Sequence, residues 1–167
     1  MSAPRVSAVL ITRNEEANLP ACLDSLKWVD EIVVVDSAST DRTREIARDA
    51  GANVFDHTDW PGFGPQKNRA IAQATGDWVL SIDADERVSP ELAAEIRRVV
   101  ATADAANGYA LPRLSSYCGR YMRHSGWWPD YVPRLFRRGR ARFSDDLVHE
   151  RLIVEGPVGR LEGLLRH

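Results

Sequence analysis

The chain is 167 residues long, 44% apolar and 28% charged, with a net charge of −2. That length suits one domain with a substantial core, and the apolar share excludes a disordered chain. No apolar run approaches the roughly 20 residues of a membrane-spanning helix, and no signal peptide precedes the first strand-like segment, so a cytoplasmic protein is expected.

In chain order, Val6–Thr12 is a continuous apolar run of strand length, the pattern of a buried parallel strand. Leu19, Cys22, Leu23 and Leu26 then recur at helical spacing, with Asn18 as the expected cap and Pro20 tolerated in the first turn. Glu31–Asp36 is a second buried strand, ending in the polar stretch Asp36–Asp41. Asp41 suits a helix N-cap, and the helix after it turns Ile46, Ala47 and Ala50 inward and ends at Gly51. Asn53–Phe55 is a short third strand, and Asp56–Gly64, with Pro61, Gly62 and Gly64, a loop. Gln66–Ala74 is expected as a helix closed by Gly76. Trp78–Ile82 is a fourth buried strand running into Asp83-Ala-Asp85, and Ser89 caps a helix with Leu92, Ile96, Val99 and Val100 inward.

The remainder is less regular. Tyr109–Leu114 and Val132–Arg137 are strand-like, with an aromatic loop, Tyr117–Tyr131, between them and a further strand expected over Val148–Val154. Residues 1–111 carry 11 Lys and Arg against 18 acids, and residues 112–167 carry 11 Arg against 6 acids. The basic third suits phosphates, an anionic membrane or an acidic acceptor, or is a solvated face. It holds no sustained basic run and no nucleic-acid motif, so no nucleic-acid partner is expected. Cys22 and Cys118 lack metal-ligand spacing and are expected as free thiols.

Alternating strands and helices predict an α/β fold: a mostly parallel sheet with helices on both faces, a Rossmann-like nucleotide-binding half in residues 1–111, and a smaller mixed part in 112–167. Ligands of such sheets bind beyond the carboxyl ends of the strands. Three polar clusters fall there: Thr12–Glu15, Asp36–Asp41 and Asp83–Asp85. Two carboxylates one residue apart at a strand end can share a divalent cation and a ribose, and Mg2+ or Mn2+ would also take phosphate oxygens. Asp-x-Asp alone is a weak signal in a chain with 24 acids, where a loop with a helix cap is the alternative. Directly after Trp-Val-Leu-Ser-Ile it is stronger. Asp36 could accept from a base N–H or ribose hydroxyls, or serve a turn. Lys67 could meet phosphate, or be a solvated helix residue.

The segments Val-Leu-Ile-Thr-Arg-Asn-Glu (9–15), Val-Val-Asp-Ser-Ala-Ser-Thr-Asp (34–41), Gln-Lys-Asn-Arg-Ala (66–70) and Asp-Ala-Asp-Glu (83–86) together resemble the family 2 glycosyltransferases, with their GT-A fold. Gly-Trp-Trp-Pro-Asp-Tyr-Val-Pro-Arg-Leu-Phe-Arg-Arg (126–138) and Val-His-Glu (148–150) are similar to the bacterial lipopolysaccharide-core β-1,4-glucosyltransferases within it. The resemblance implies an inverting transferase with a UDP-sugar donor, foremost UDP-glucose, and a saccharide or lipid-linked saccharide acceptor at the inner face of the cytoplasmic membrane. Thr12, Asn14, Glu15 and Asp36 would then line the nucleoside pocket. Asp83 would lie near the ribose and beside the metal that Asp85 ligates.

Inversion needs a base opposite the leaving group. Asp130, Asp145, Asp146 and Glu150 are the candidates, Glu150 first and Asp130 second. His149 is a further candidate ligand, though a lone His is more often structural. Trp127 or Trp128 could stack on an acceptor sugar. Arg134, Arg137 and Arg138 could meet phosphorylated sugars, the diphosphate or anionic lipid. Members of this family usually continue beyond the point matching His167, so a truncated acceptor side is expected, and a nucleotide-sugar-binding module without transfer is the alternative. A nucleotidyltransferase ranks low, because Thr12–Glu16 lacks a Gly-rich phosphate loop. A dehydrogenase ranks lower, because no G-x-G-x-x-G follows a strand.

Overall fold

The computed structural model describes residues 3–102, 104–114, 116–117, 120–121, 130–146 and 149–167. Its first part alternates: β1 (Val6–Thr12), α1 (Leu19–Asp24), β2 (Glu31–Asp36), α2 (Thr43–Asp49), β3 (Asn53–Asp56), α3 (Phe63–Gln73), β4 (Trp78–Ser81), β5 (Arg87–Val88) and α4 (Pro90–Val100). Strands follow: β6 (Gly108–Leu114), β7 (Ser116–Tyr117), β8 (Arg120–Tyr121), β9 (Asp130–Arg137), β10 (Ala141–Phe143), β11 (Leu152–Val154), β12 (Val158–Arg160) and β13 (Leu165–Arg166).

One sheet runs β3-β2-β1-β4-β9-β6-β13-β5, with β12 beside β6. The first four strands are mutually parallel, as expected. The sheet becomes mixed where β9 enters antiparallel between β4 and β6. Antiparallel neighbours need no crossover helix, and among the described residues no helix follows α4.

Side chains alternate across a strand, so each face of the sheet has its own core. Val6, Ala8 and Leu10 of β1 pack with Leu19, Cys22 and Leu23 of α1, Ala47 of α2, and Leu92 and Ile96 of α4. Val9, between them in sequence, faces the other way and packs with Val33, Val35, Val79, Phe136 and Ala70 of α3. Helices therefore cover both faces. Among the described residues no helix is long and apolar enough to cross a membrane.

Several boundaries differ from expectation. Helix α3 starts at Phe63, three residues early, because Gly62 turns the chain at φ 112° and Pro65 sits in the first turn, where its missing N–H is harmless. Asn18 stands at the cap of α1 without a side-chain cap hydrogen bond. Ser89 caps α4 as read, its Oγ accepting from Leu92 N at 3.2 Å. Arg42 takes the cap position of α2, and Asp41 serves that end by accepting the Thr43 N–H at 3.0 Å. The strand expected over Val148–Val154 is confined to Leu152–Val154, and residues 147 and 148 lie outside the described residues. Within the aromatic loop, β7 and β8 pair with each other.

Candidate active site

The parallel strands bring their carboxyl ends to one edge. Thr12, Asp36 and Asp56 are level in register, and Ile82 follows β4 with its N–H on the Val9 carbonyl at 3.1 Å. Each expected polar cluster lies at this edge.

The loops after β1 and β2 are laced together. Asp36 is fully buried and accepts from Thr12 Oγ1 at 2.7 Å, Ser39 Oγ at 2.6 Å and Ser39 N at 2.9 Å. Asn14 adopts φ 52°, a conformation Asn tolerates better than most residues. Its N–H donates to Ser39 Oγ at 2.9 Å, and its side-chain carbonyl accepts from Thr40 N at 2.8 Å. Glu15 N donates to Thr43 Oγ1 at 2.9 Å. The carboxylate of Asp36 is thus already engaged as the organiser of both loops.

The turn after β4 is held from below. Asp83 N donates to Glu86 Oε1 at 2.8 Å, and Glu86 N returns to the Asp83 carbonyl at 3.0 Å. Glu86 is fully buried, and Arg134 of β9 clasps it at 2.6 and 3.0 Å. Arg134 also donates to the Ser81 carbonyl at 3.2 Å and approaches Asp83 Oδ2 at 3.4 Å. The other Asp83 oxygen lies 3.6 Å from Lys67 Nζ, and Lys67 bonds Glu150 Oε1 at 2.9 Å. A chain of alternating charge results: Glu86, Arg134, Asp83, Lys67, Glu150. Burial works against the Asp83 charge, yet Arg134 and Lys67 outweigh it and hold its carboxyl below the ordinary value. Burial likewise opposes the charge of Arg134, but Glu86 and Asp83 overcome it and raise its value.

Lys67 is held on α3, whose seating is tight. A Cβ on Gly64 would stand 1.8 Å from the Ser144 carbonyl oxygen, so only glycine fits. Asn68 clamps Phe143, donating to its carbonyl at 2.9 Å and accepting its N–H at 2.8 Å. The Lys67 ammonium stands 4.9 Å from the Phe143 ring centroid, a cation–π contact.

Asp85 points elsewhere. Its side chain is about half exposed, and Oδ2 lies 2.9 Å from His167 Nε2. His167 arrives on the segment carrying β13, which pairs with β5 and β6, and its N–H binds the Leu114 carbonyl at 2.9 Å. A cleft of 240 Å³ lies between Glu15, Phe63, Lys67, Asp83, Asp85 and Glu150. A larger cavity, 640 Å³, opens between α1, α2 and the start of β2, away from every strand-end cluster. The smaller cleft is the candidate site because ionisable groups converge there.

The other expected residues are placed as follows. Asp130 begins β9 and pairs with Arg113 at 2.8 Å. Asp145, Asp146 and His149 are exposed. Trp127, Trp128 and Cys118 lie outside the described residues. Arg134 is buried against carboxylates rather than presented to a phosphate. Arg137 pairs in register with Trp78, at the far end of β4 from the cleft. Glu86, Ser39 and His167 were not singled out in the sequence. Glu86 was signalled only by following Asp-Ala-Asp directly, and His167 by nothing local, since it meets Asp85 across 82 residues.

Parallel strands ending in an acid-lined cleft, with a mixed extension of the same sheet, define an α/β fold of the GT-A kind. The Glycosyl transferase family 2 model matches residues 7–153, and the chain belongs to that family. The chain is 36% identical to the lipopolysaccharide core biosynthesis glycosyltransferase LpsC of Rhizobium meliloti, over 97% of its own length and 62% of the relative's. It thus spans less than two thirds of that protein. In fold it is similar to Staphylococcus aureus TarS 1–349 in complex with UDP, at TM-score 0.69 and 19% identity, covering 98% of this chain and 60% of that one. It is also similar to glucosyl-3-phosphoglycerate synthase of Mycobacterium tuberculosis, solved with Mn2+, UDP and glucosyl-3-phosphoglycerate. There the TM-score is 0.52 and identity 28%, covering 68% of this chain and 44% of that one.

Proposed function

We propose that the chain moves a hexose, foremost glucose from UDP-glucose, to a saccharide acceptor such as lipopolysaccharide inner core, with inversion at the anomeric carbon. The observation that carries this reading is the convergence of Asp83, Asp85, Lys67 and Glu150 on one cleft at the strand ends of a family 2 fold. The Rhizobium relative, a lipopolysaccharide core biosynthesis glycosyltransferase, supports the acceptor class, and UDP with Mn2+ in the Mycobacterium neighbour supports the donor and the metal.

In this reading the nucleoside lies over Thr12, Asn14, Glu15 and Asp36. Asp36 acts by fixing the two loops, since its oxygens are already occupied. Asp83 receives the ribose. Mg2+ or Mn2+ would be held by Asp85, whose half-exposed carboxylate is the oxygen ligand these ions prefer beside phosphate oxygens and water, with His167 Nε2 at 2.9 Å from it as a neighbouring donor. Asp83 suits the metal less well, because Arg134 and Lys67 already balance its charge. When bound, the ion supplies charge neutralisation to the departing diphosphate.

Glu150 is the base. Lys67 holds Oε1 at 2.9 Å, leaving Oε2 to accept the proton of the acceptor hydroxyl. The acceptor oxygen bonds to the anomeric carbon, the bond from that carbon to the diphosphate breaks, and UDP leaves. Asp130 is the second candidate, already engaged by Arg113. Trp127 or Trp128 would serve the acceptor side. The exposed Arg138, Arg140 and Arg142 would offer peripheral contact with an anionic membrane.

The test is incubation with UDP-glucose, Mn2+ and deacylated lipopolysaccharide core, reading UDP release and product mass. Product formation that stops in Glu150→Gln is expected. Metal-dependent UDP binding with no product from any core acceptor would instead mean donor binding without transfer.

A further inference from the structure

Trp60 and Phe63 are both 45% exposed, an unusual display for two large apolar side chains only three residues apart. Their rings meet edge to face, with centroids 4.9 Å apart and planes at 88°. One ring therefore presents its flat face where the other presents its edge.

The display is built into the backbone. Arg69 grips Asp59 through both carboxylate oxygens, at 3.1 and 2.7 Å, tying the loop to α3 immediately before Trp60. His57 N is bonded to the Asp36 carbonyl at 2.9 Å, and Gln66 N to the Gly62 carbonyl at 3.1 Å. Between these anchors stand Pro61, with its fixed φ, and Gly62 at φ 112° and ψ 168°, a conformation essentially restricted to glycine. Gly64 is locked against Ser144. These contacts define the backbone of the loop that carries Trp60 and Phe63.

The pair is continuous with the candidate active site. Phe63 lines the 240 Å³ cleft together with Lys67, Asp85 and Glu150. Trp60 does not line it but meets Phe63 edge to face. A ligand in the cleft at Glu150 thus shares a wall, Phe63, with the exposed aromatic pair.

We propose that Trp60 and Phe63 form a stacking subsite for a pyranose ring of the acceptor, next to the sugar whose hydroxyl is activated. This deepens the transferase reading and rests on it for the word acceptor. A pyranose has an apolar C–H face that packs on an aromatic ring, and hydroxyls at its edge that need polar partners. Here Asp59, the residue before Trp60, and its partner Arg69 supply polar groups next to the pair in the chain.

The test follows the indole N–H resonances in a two-dimensional NMR spectrum of the whole chain, where Trp60 is assigned among the five tryptophans by its loss in Trp60→Phe. Deacylated lipopolysaccharide core oligosaccharide, cellobiose and methyl β-glucopyranoside are added separately, then UDP with Mn2+, then phosphatidylglycerol vesicles. The Trp60 signal should move with at least one saccharide and stay still with UDP and with vesicles. Trp60→Ala should melt at the unliganded wild-type temperature and bind the responding saccharide roughly tenfold more weakly. A Trp60 signal that no saccharide moves, or that only UDP or only vesicles move, overturns the subsite. A UDP response elsewhere with no saccharide response leaves the donor reading intact while this inference fails. A saccharide response without any UDP response does the reverse.

Discussion

Lys67 on α3 and Glu150, 83 residues later, meet at 2.9 Å, and the same ammonium lies 3.6 Å from Asp83. One cation therefore serves two carboxylates, one from the expected donor side and one from the expected acceptor side. We predict that Lys67→Met lowers kcat for transfer by at least tenfold, because Glu150 loses the ammonium that positions its carboxylate and Asp83 loses a neighbouring cation. An unchanged kcat would separate Lys67 from Glu150 function.

The buried Arg134–Glu86 pair should behave asymmetrically. Glu86→Ala leaves a buried guanidinium with its main partner removed, and we predict a loss of about 3–5 kcal/mol in denaturant unfolding. Joint replacement by Glu86→Gln and Arg134→Met should recover most of that stability while still weakening UDP binding, because Asp83 loses its support. A double variant no more stable than Glu86→Ala would contradict this.

Asp83 gives the fold a defined pH dependence. Its folded value is held below the unfolded one, so its contribution is fully present above the unfolded value of about 4 and disappears as pH falls through the folded value. Asp83→Asn should therefore flatten the acid side of the stability profile below about pH 4. An unchanged acid slope would show that Asp83 is not the group responsible.

Gly64→Ala should destabilise the chain by about 1–3 kcal/mol or more, since the added methyl meets backbone rather than a movable side chain. Thermal unfolding reads this directly. Loss of activity at unchanged stability would instead mean that α3 shifts to accommodate it.

Cys22 is buried, with its Sγ 3.6 Å from the Asp83 carbonyl, and burial pushes its thiol up to about 12. In a Cys118→Ser background the folded protein should resist a thiol-specific disulfide reagent at pH 8 and react fully once unfolded. Rapid reaction of the native protein would mean that α1 opens away from the Asp83 turn.

The parallel half of the sheet was legible in the sequence because buried strands such as Val33–Val35 are unbroken apolar runs, and because Ser89-Pro90 and Gly51 mark helix ends locally. The strand-end clusters were legible for the same reason, each following a strand directly. The mixed half was harder to read. Strands β10 to β13 are only two or three residues long, too short for a period to show. Arg134 lies in an alternating strand that also carries Arg137, and nothing local distinguishes the arginine that turns inward to Glu86 from the one at the far end of the sheet. His167 reaches Asp85 only because β13 slots between β5 and β6, a long-range pairing with no local signal.

The central claim is that the cleft beside Asp85 binds a uridine diphosphate sugar with a divalent ion. The most direct measurement is the melting temperature with UDP, with and without Mn2+, in wild type, Asp85→Ala and His167→Ala. Ligand that binds only the folded state raises stability by about 2.7 kcal/mol at a hundredfold excess over Kd. A rise in wild type that needs Mn2+ and is lost in both variants is predicted. Equal rises in all three proteins, or a rise indifferent to Mn2+, would contradict it.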